Sequence, residues 1–129
     1  MNADERRLET NSLCEKIIGC AYNVANTLGT GFLEKVYENA LCLELSQAGI
    51  MVEQQKSIQV KYKNVVIGEF IADILVNQLV IVELKTQKNL GDSYQAQCLN
   101  YLKATNLNVC LLINFGKPRV ETKRIVLNF

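Results

Sequence analysis

The chain has 129 residues, 49% apolar and 21% charged, with a net charge of +1 and no histidine. That length and balance let it bury a core without metal or disulfide staples, so residues 1–129 read as a single domain. The missing histidine excludes His-based triads, histidine zinc ligands and imidazole acid–base chemistry, leaving proton transfer to carboxylate, lysine, tyrosine, cysteine or metal-bound water.

After a charged lead-in, Leu13, Ile17, Ala21, Val24 and Leu28 recur at helical spacing, and Ser12 with Glu15 forms a capping box. This first helix is expected to end near Gly29, where Leu28-Gly29-Thr30-Gly31 makes a tight break with a glycine at positive φ. A second helix follows from about Phe32 to Ala48, closed by Gly49. Leu33, Val36, Tyr37, Ala40, Leu41, Leu45 and Ala48 form its apolar stripe, with Glu34 at the edge. In isolation Glu34 reads as a first-turn residue favoured by the helix dipole; its functional reading places it at one site with Asp73 and Glu83.

From Met51 the period changes. Ile58, Val60 and Tyr62 alternate with Gln59 and Lys61 as a half-exposed strand, and Lys63-Asn64 marks a turn. Val65–Val76 and Leu79–Lys85 are two further strands, rich in valine and isoleucine. Thr86–Gly91 is a polar loop; Asp92 with Gln95 starts a helix running from Ser93 to about Lys103. On this helix Tyr94, Gln97, Cys98, Tyr101 and Leu102 share a face. Two strands, Val109–Asn114 and roughly Val120–Leu127, end an α/β chain of order ααβββαββ.

The stretch from Gly68 to Lys85 carries the candidate chemistry. Glu83 and Lys85 are two apart on one strand and share a face. Asp73 joins them only if the loop between its strand and theirs has an odd number of residues, as Asn77 to Leu79 does; a two-residue turn would set it on the opposite face. We expect the odd loop, or a bulge with the same effect. Two carboxylates so placed repel unless a proton or cation lies between them, and hard oxygen donors of this kind suit magnesium or manganese. The bland alternative is a solvated strand face with an ordinary Glu83 and Lys85 pair.

Gly31-Phe32-Leu33-Glu34-Lys35-Val36-Tyr37 resembles the signature of the GxxExxY proteins, a group within the PD-(D/E)XK nuclease-like superfamily. The resemblance extends from about Ile17 to Val126 through the IAD of Ile71 to Asp73, IVELK of Ile81 to Lys85, QxxxY of Gln97 to Tyr101 and LLINFG of Leu111 to Gly116. It implies a restriction-endonuclease-like core, with a mixed sheet of about five strands flanked by helices. It further implies a Mg2+ (or Mn2+) site formed by Asp73, Glu83 and Glu34, with Lys85 assisting the attacking water and Gln97 and Tyr101 orienting the substrate backbone or the lysine. Many relatives carry a histidine shortly before the glycine break, where this chain has Val24-Ala25-Asn26.

The function so implied is metal-dependent hydrolysis of phosphodiester bonds in DNA or RNA. The alternative is a non-catalytic module that keeps the fold and binds nucleic acid or a protein. Net charge predicts no long-range steering, and Arg6, Arg7, Lys117, Arg119, Lys123 and Arg124 are the candidate phosphate contacts. A homodimer would suit a small nuclease cutting two strands. The five cysteines show no CxxC spacing and read as reduced structural thiols; a reactive Cys42 or Cys98 is a weaker reading. With no secretory signal and no apolar run of membrane-spanning length, the expected location is the cytoplasm and no membrane partner is expected.

Overall fold

A computed structural model describes residues 1–129 as three helices and five strands in the expected order. Helix α1 (Ala3–Leu28) is continuous over 26 residues and is capped by Asn2, whose side chain accepts from the Glu5 N–H. The charged lead-in is therefore helical, and the Ser12–Glu15 capping box does not form. Ala, Glu, Arg and Leu all favour helix, so the chain nucleates at the earlier cap. The helix break is as expected: Gly29 has φ 68° and Gly31 φ 107°.

Helix α2 (Glu34–Gln47) begins at Glu34 itself and is followed by Gly49 at φ 78°. Its buried stripe is narrower than the sequence suggests, because Leu33 is 80% exposed and Val36 is exposed, leaving Tyr37, Leu41 and Leu45 to carry the packing.

The sheet contains β1 (Val52–Tyr62), β2 (Val65–Val76), β3 (Val80–Lys85), β4 (Val109–Asn114) and β5 (Glu121–Val126), in that spatial order. Only β3 and β4 pair in parallel; helix α3 (Asp92–Thr105) is their crossover, which a parallel connection requires. Strand β1 starts at Val52, well before Ile58, because an edge strand can carry the polar run Glu53–Ser57 with no apolar alternation. Helix α3 is capped by the backbone of Gly91 without a side-chain bond, and Asp92 is its first helical residue rather than its cap.

The helices cover both faces. On one side Ile17, Leu41 and Leu45 pack against Ile74, Val82, Leu84, Leu111 and Ile113; on the other Cys98 and Leu102 pack against Ile81, Cys110 and Leu112. Strands β3 and β4 are accordingly buried almost throughout, which explains their unbroken apolar runs.

Strand β2 changes phase near its middle. Ala72 and Leu75 both pack on the α3 side although they are three positions apart, while Ile74 and Val76 pack on the other. The slip falls at Asp73. Across from it on β1, Gln55 has φ 55° and drops out of the ladder between Gln54↔Ile74 and Lys56↔Ala72.

Candidate active site

The β2–β3 loop has three residues. Val76 pairs with Val80, Leu75 with Ile81 and Ile74 with Val82, while Asn77 and Gln78 take left-handed φ values of 50° and 59°. This odd loop puts Asp73 level with Glu83, as the charge pattern anticipated. Backbone pairing stops at Ile74↔Val82, and side chains continue it. The Asp73 N–H donates to Glu83 Oε1 at 2.9 Å, and the Leu84 N–H donates to Asp73 Oδ2 at 2.8 Å. Each carboxylate thus commits one oxygen to the opposite strand. The second oxygen of each has no protein hydrogen-bond partner.

This arrangement shapes the electrostatics. Glu83 is only 3% exposed. Burial, and then the Asp73 charge, push its carboxyl up to about 8. Burial also raises Asp73, against the opposing effect of its bond from the Leu84 N–H. The pair therefore holds a proton near neutral pH and has an unfilled demand for positive charge.

Lys85, two residues after Glu83, is half-buried with its ammonium 4.7 Å from the centre of the Tyr94 ring. It forms no ion pair: the three in the molecule are Lys35–Glu38, Lys56–Glu53 and Lys117–Glu121. Tyr101 is buried and meets Phe70 edge to face at 5.6 Å. Burial and the Glu83 and Asp73 charges raise its phenol, so it acts as a neutral donor and not as a base. Gln97 lies with Tyr94 and Tyr101 in a cleft along α3.

Glu34, the first residue of α2, is half-buried. Burial raises its carboxyl, Lys85 lowers it and Asp73 raises it, so it lies within electrostatic reach of both. No three acidic or thiol side chains converge closely enough to enclose an ion together. The structure thus joins Asp73 on β2 to Glu83 on β3, sets Lys85 two residues after Glu83 on β3 and Gln97 and Tyr101 on α3, and places Glu34 at the start of α2, within electrostatic reach of Asp73 and Lys85.

Four residues that the sequence reading gave no site role hold this geometry. Tyr37 Oη donates to the Gly29 carbonyl at 2.6 Å and accepts from the Phe32 N–H at 3.3 Å, while its ring stacks on Phe115 at 4.8 Å. It thereby pins the glycine break that places Glu34 at the start of α2. Glu38, one turn beyond Glu34, is 3% exposed and accepts from Lys35 Nζ at 2.8 Å and from the side-chain amides of Gln54 and Gln55. Its signal was the four-residue step from Glu34, obscured because its amide partners lie on β1, distant in sequence.

Fully buried Asn114 accepts from the Gln87 and Gly116 N–H groups at 2.9 Å and 3.0 Å and donates to the Gln87 carbonyl at 2.8 Å. A Cβ on Gly116 would collide with the Gln87 backbone, so only glycine lets the chain lie against the exit of β3. An asparagine ending an apolar strand, with glycine two residues on, was the available signal. Together with the Phe115 N–H bond to the Lys85 carbonyl at 2.8 Å, this clamp fixes the lysine's backbone.

The nominated basic residues are partly committed elsewhere: Arg7 and Arg124 flank the Phe129 ring, and Lys117 pairs with Glu121. All five cysteines are buried and unpaired. No helix is long and apolar enough to cross a membrane.

No curated protein matches the chain. Among solved structures, the crystal structure of SSO0001 is similar, with a TM-score of 0.59 and 17% identity over 96% of this chain and 62% of that one. Identity that low speaks to fold alone, and this chain spans less than two thirds of SSO0001. A family model described as the PD-(D/E)XK nuclease superfamily matches residues 11–125, from within α1 into β5. The helix-flanked mixed sheet is the restriction-endonuclease-like fold, and by that match the chain belongs to the PD-(D/E)XK nuclease superfamily.

Proposed function

We propose that the protein is a metal-dependent nuclease of the GxxExxY group that hydrolyses phosphodiester bonds of DNA or RNA. The observation that carries this reading is the Asp73–Glu83 pair, in which each carboxylate spends one oxygen on the opposite strand and keeps the other free of protein partners. Hard oxygen donors, excess negative potential and a rigid strand mounting fit a Mg2+ or Mn2+ ion. Such an ion, when bound, lowers the pKa of a water and offsets charge on the phosphate oxygens.

The chain's own residues supply the rest. Asp73 and Glu83 hold the ion. Lys85 offers an unpaired ammonium, which attracts the phosphate and can donate a proton from Nζ. Glu34 stands outside the pair and orders water through its carboxylate. Gln97 offers its amide and Tyr101 its neutral phenol to the substrate backbone. The absence of a third convergent carboxylate favours the second reading, a binding module that keeps the fold without turnover.

Titration of Mn2+ by calorimetry tests the site without a guess at substrate. Wild type binds with heat and Asp73→Ala does not, while Asp73→Asn, which preserves the side-chain shape, also fails to bind. Equal binding by all three, or none by the wild type followed by no Mg2+-dependent cleavage of mixed DNA and RNA, overturns the nuclease reading.

A further inference from the structure

Two surface clefts run beside α3 and join. One, of about 410 Å³, is lined by Phe70, Tyr94, Gln97, Asn100 and Tyr101, among others, and adjoins Lys85 through Tyr94. The next, of about 590 Å³, shares Phe70 and Asn100 and adds Gln59, Lys61 and Lys103. Together they form a trench between α3 and the β1–β2 hairpin, with one end at Tyr94, the ring that Lys85 sits against. From Tyr94 to Lys103 the helix advances roughly 13 Å, room for about four nucleotides at the rise of a stacked strand.

The lining has a marked chemistry. The chain carries 13 acidic residues, yet none lines either cleft. Lys61 and Lys103 are exposed and belong to none of the ion pairs, so both charges are free for an anion. Phe70, braced edge to face by Tyr101, leaves 39% of its surface exposed in the trench, an apolar ring face open to a partner. A base swung out of a duplex can stack on such a ring; a paired base cannot. Two free lysines suit two phosphates of one strand and fall short of a duplex footprint.

We propose that this trench is a track for a single strand of nucleic acid, with a base on Phe70 and phosphates on Lys61 and Lys103, leading the strand to Asp73 and Glu83. The inference rests on the nuclease reading for the identity of the ligand. It adds strandedness and direction of approach.

Fluorescence anisotropy in EDTA tests it with labelled 12-nucleotide oligothymidylate and oligouridylate and a 12-base-pair duplex. One or both single strands bind at least about tenfold tighter than the duplex, and the better one identifies the sugar preferred. The logarithm of affinity falls with the logarithm of salt at a slope of about −1.4, two single-strand phosphates' worth. The Lys61→Ala/Lys103→Ala variant loses about tenfold or more in affinity and flattens that slope, whereas Phe70→Leu weakens binding with the slope unchanged. Equal or tighter duplex binding, no binding of any probe, full affinity in the double lysine variant, or displacement by an equal concentration of polyglutamate overturns the trench.

Cleavage in Mg2+, assayed alongside, separates the two readings. Cleavage without strand preference removes the trench and keeps the nuclease. Strand preference without cleavage removes the nuclease and keeps the trench.

Discussion

Glu38 on α2 and Glu83 on β3 are both 3% exposed, yet their surroundings treat the charge in opposite ways. Glu38 receives an ammonium and two side-chain amides, so both of its oxygens are supplied from within the protein. Glu83 receives one backbone N–H and a neighbouring carboxylate that repels it. A buried charge kept for architecture is normally given its partners. One left short of them carries a cost that an outside cation can remove, and in the function proposed above that cation is the one Glu83 would hold with Asp73.

The largest effect that would break this contrast is on catalysis and stability together. With Glu83→Gln, Mg2+-dependent cleavage is expected to fall by about 10³-fold or more, since the ion loses a charged ligand. The metal-free variant should nevertheless be the more stable protein at high pH. The folded carboxyl, raised to about 8 from an ordinary 4.5, keeps a proton that the unfolded chain has already lost. Wild-type stability therefore falls as pH climbs from about 4.5 to about 8, and glutamine escapes that loss. Urea unfolding at about pH 5 and about pH 8.5 should show the gap widening by a few kcal/mol. A gap that stays constant would mean that Glu83 is no more strained than Glu38.

Next in size is Lys85→Ala, which should keep Mn2+ affinity by calorimetry while lowering turnover by roughly 10²- to 10³-fold. Loss of metal binding as well would recast the lysine as a structural support of the strand. The smallest catalytic effect belongs to Glu38→Gln. It should cost about 1 to 3 kcal/mol in chemical denaturation, since a buried carboxylate that accepts from the Gln54 and Gln55 amides is replaced by an amide that turns its own donors toward them. Turnover per folded molecule should change by less than about threefold, a shift small on the scale of one broken transition-state contact. A folded Glu38→Gln protein as inactive as Glu83→Gln would bring Glu38 into the site and erase the distinction.

Much of this was legible in the residues because the signals were local. The glycine break and the apolar runs of β3 and β4 each follow from backbone preference or alternation over a few positions, while the three-residue Asn77–Leu79 loop was expected on the charge pattern with a two-residue turn as its alternative. The early start of α1 was missed because a strong N-cap at Asn2 competes with the Ser12 signal and wins through helix-forming residues between them. The polar half of β1 was missed because an edge strand need not alternate.

The sequence by itself determined the order of elements and the shared face of Glu83 and Lys85, since strand period is a property of neighbouring residues; it left open an odd or a two-residue loop, and the strand pairing chose the odd one that brings Asp73 level with Glu83. Tertiary structure decided how that pair is held and charged. The exchange of side-chain bonds between β2 and β3, the Gln54 and Gln55 amides on Glu38, the Asn114 clamp beyond Lys85 and the trench beside α3 all join residues far apart in the chain. Burial raises the Glu83 carboxyl only once the sheet and α3 have closed over it, and desolvation of that kind has no counterpart in an unfolded sequence.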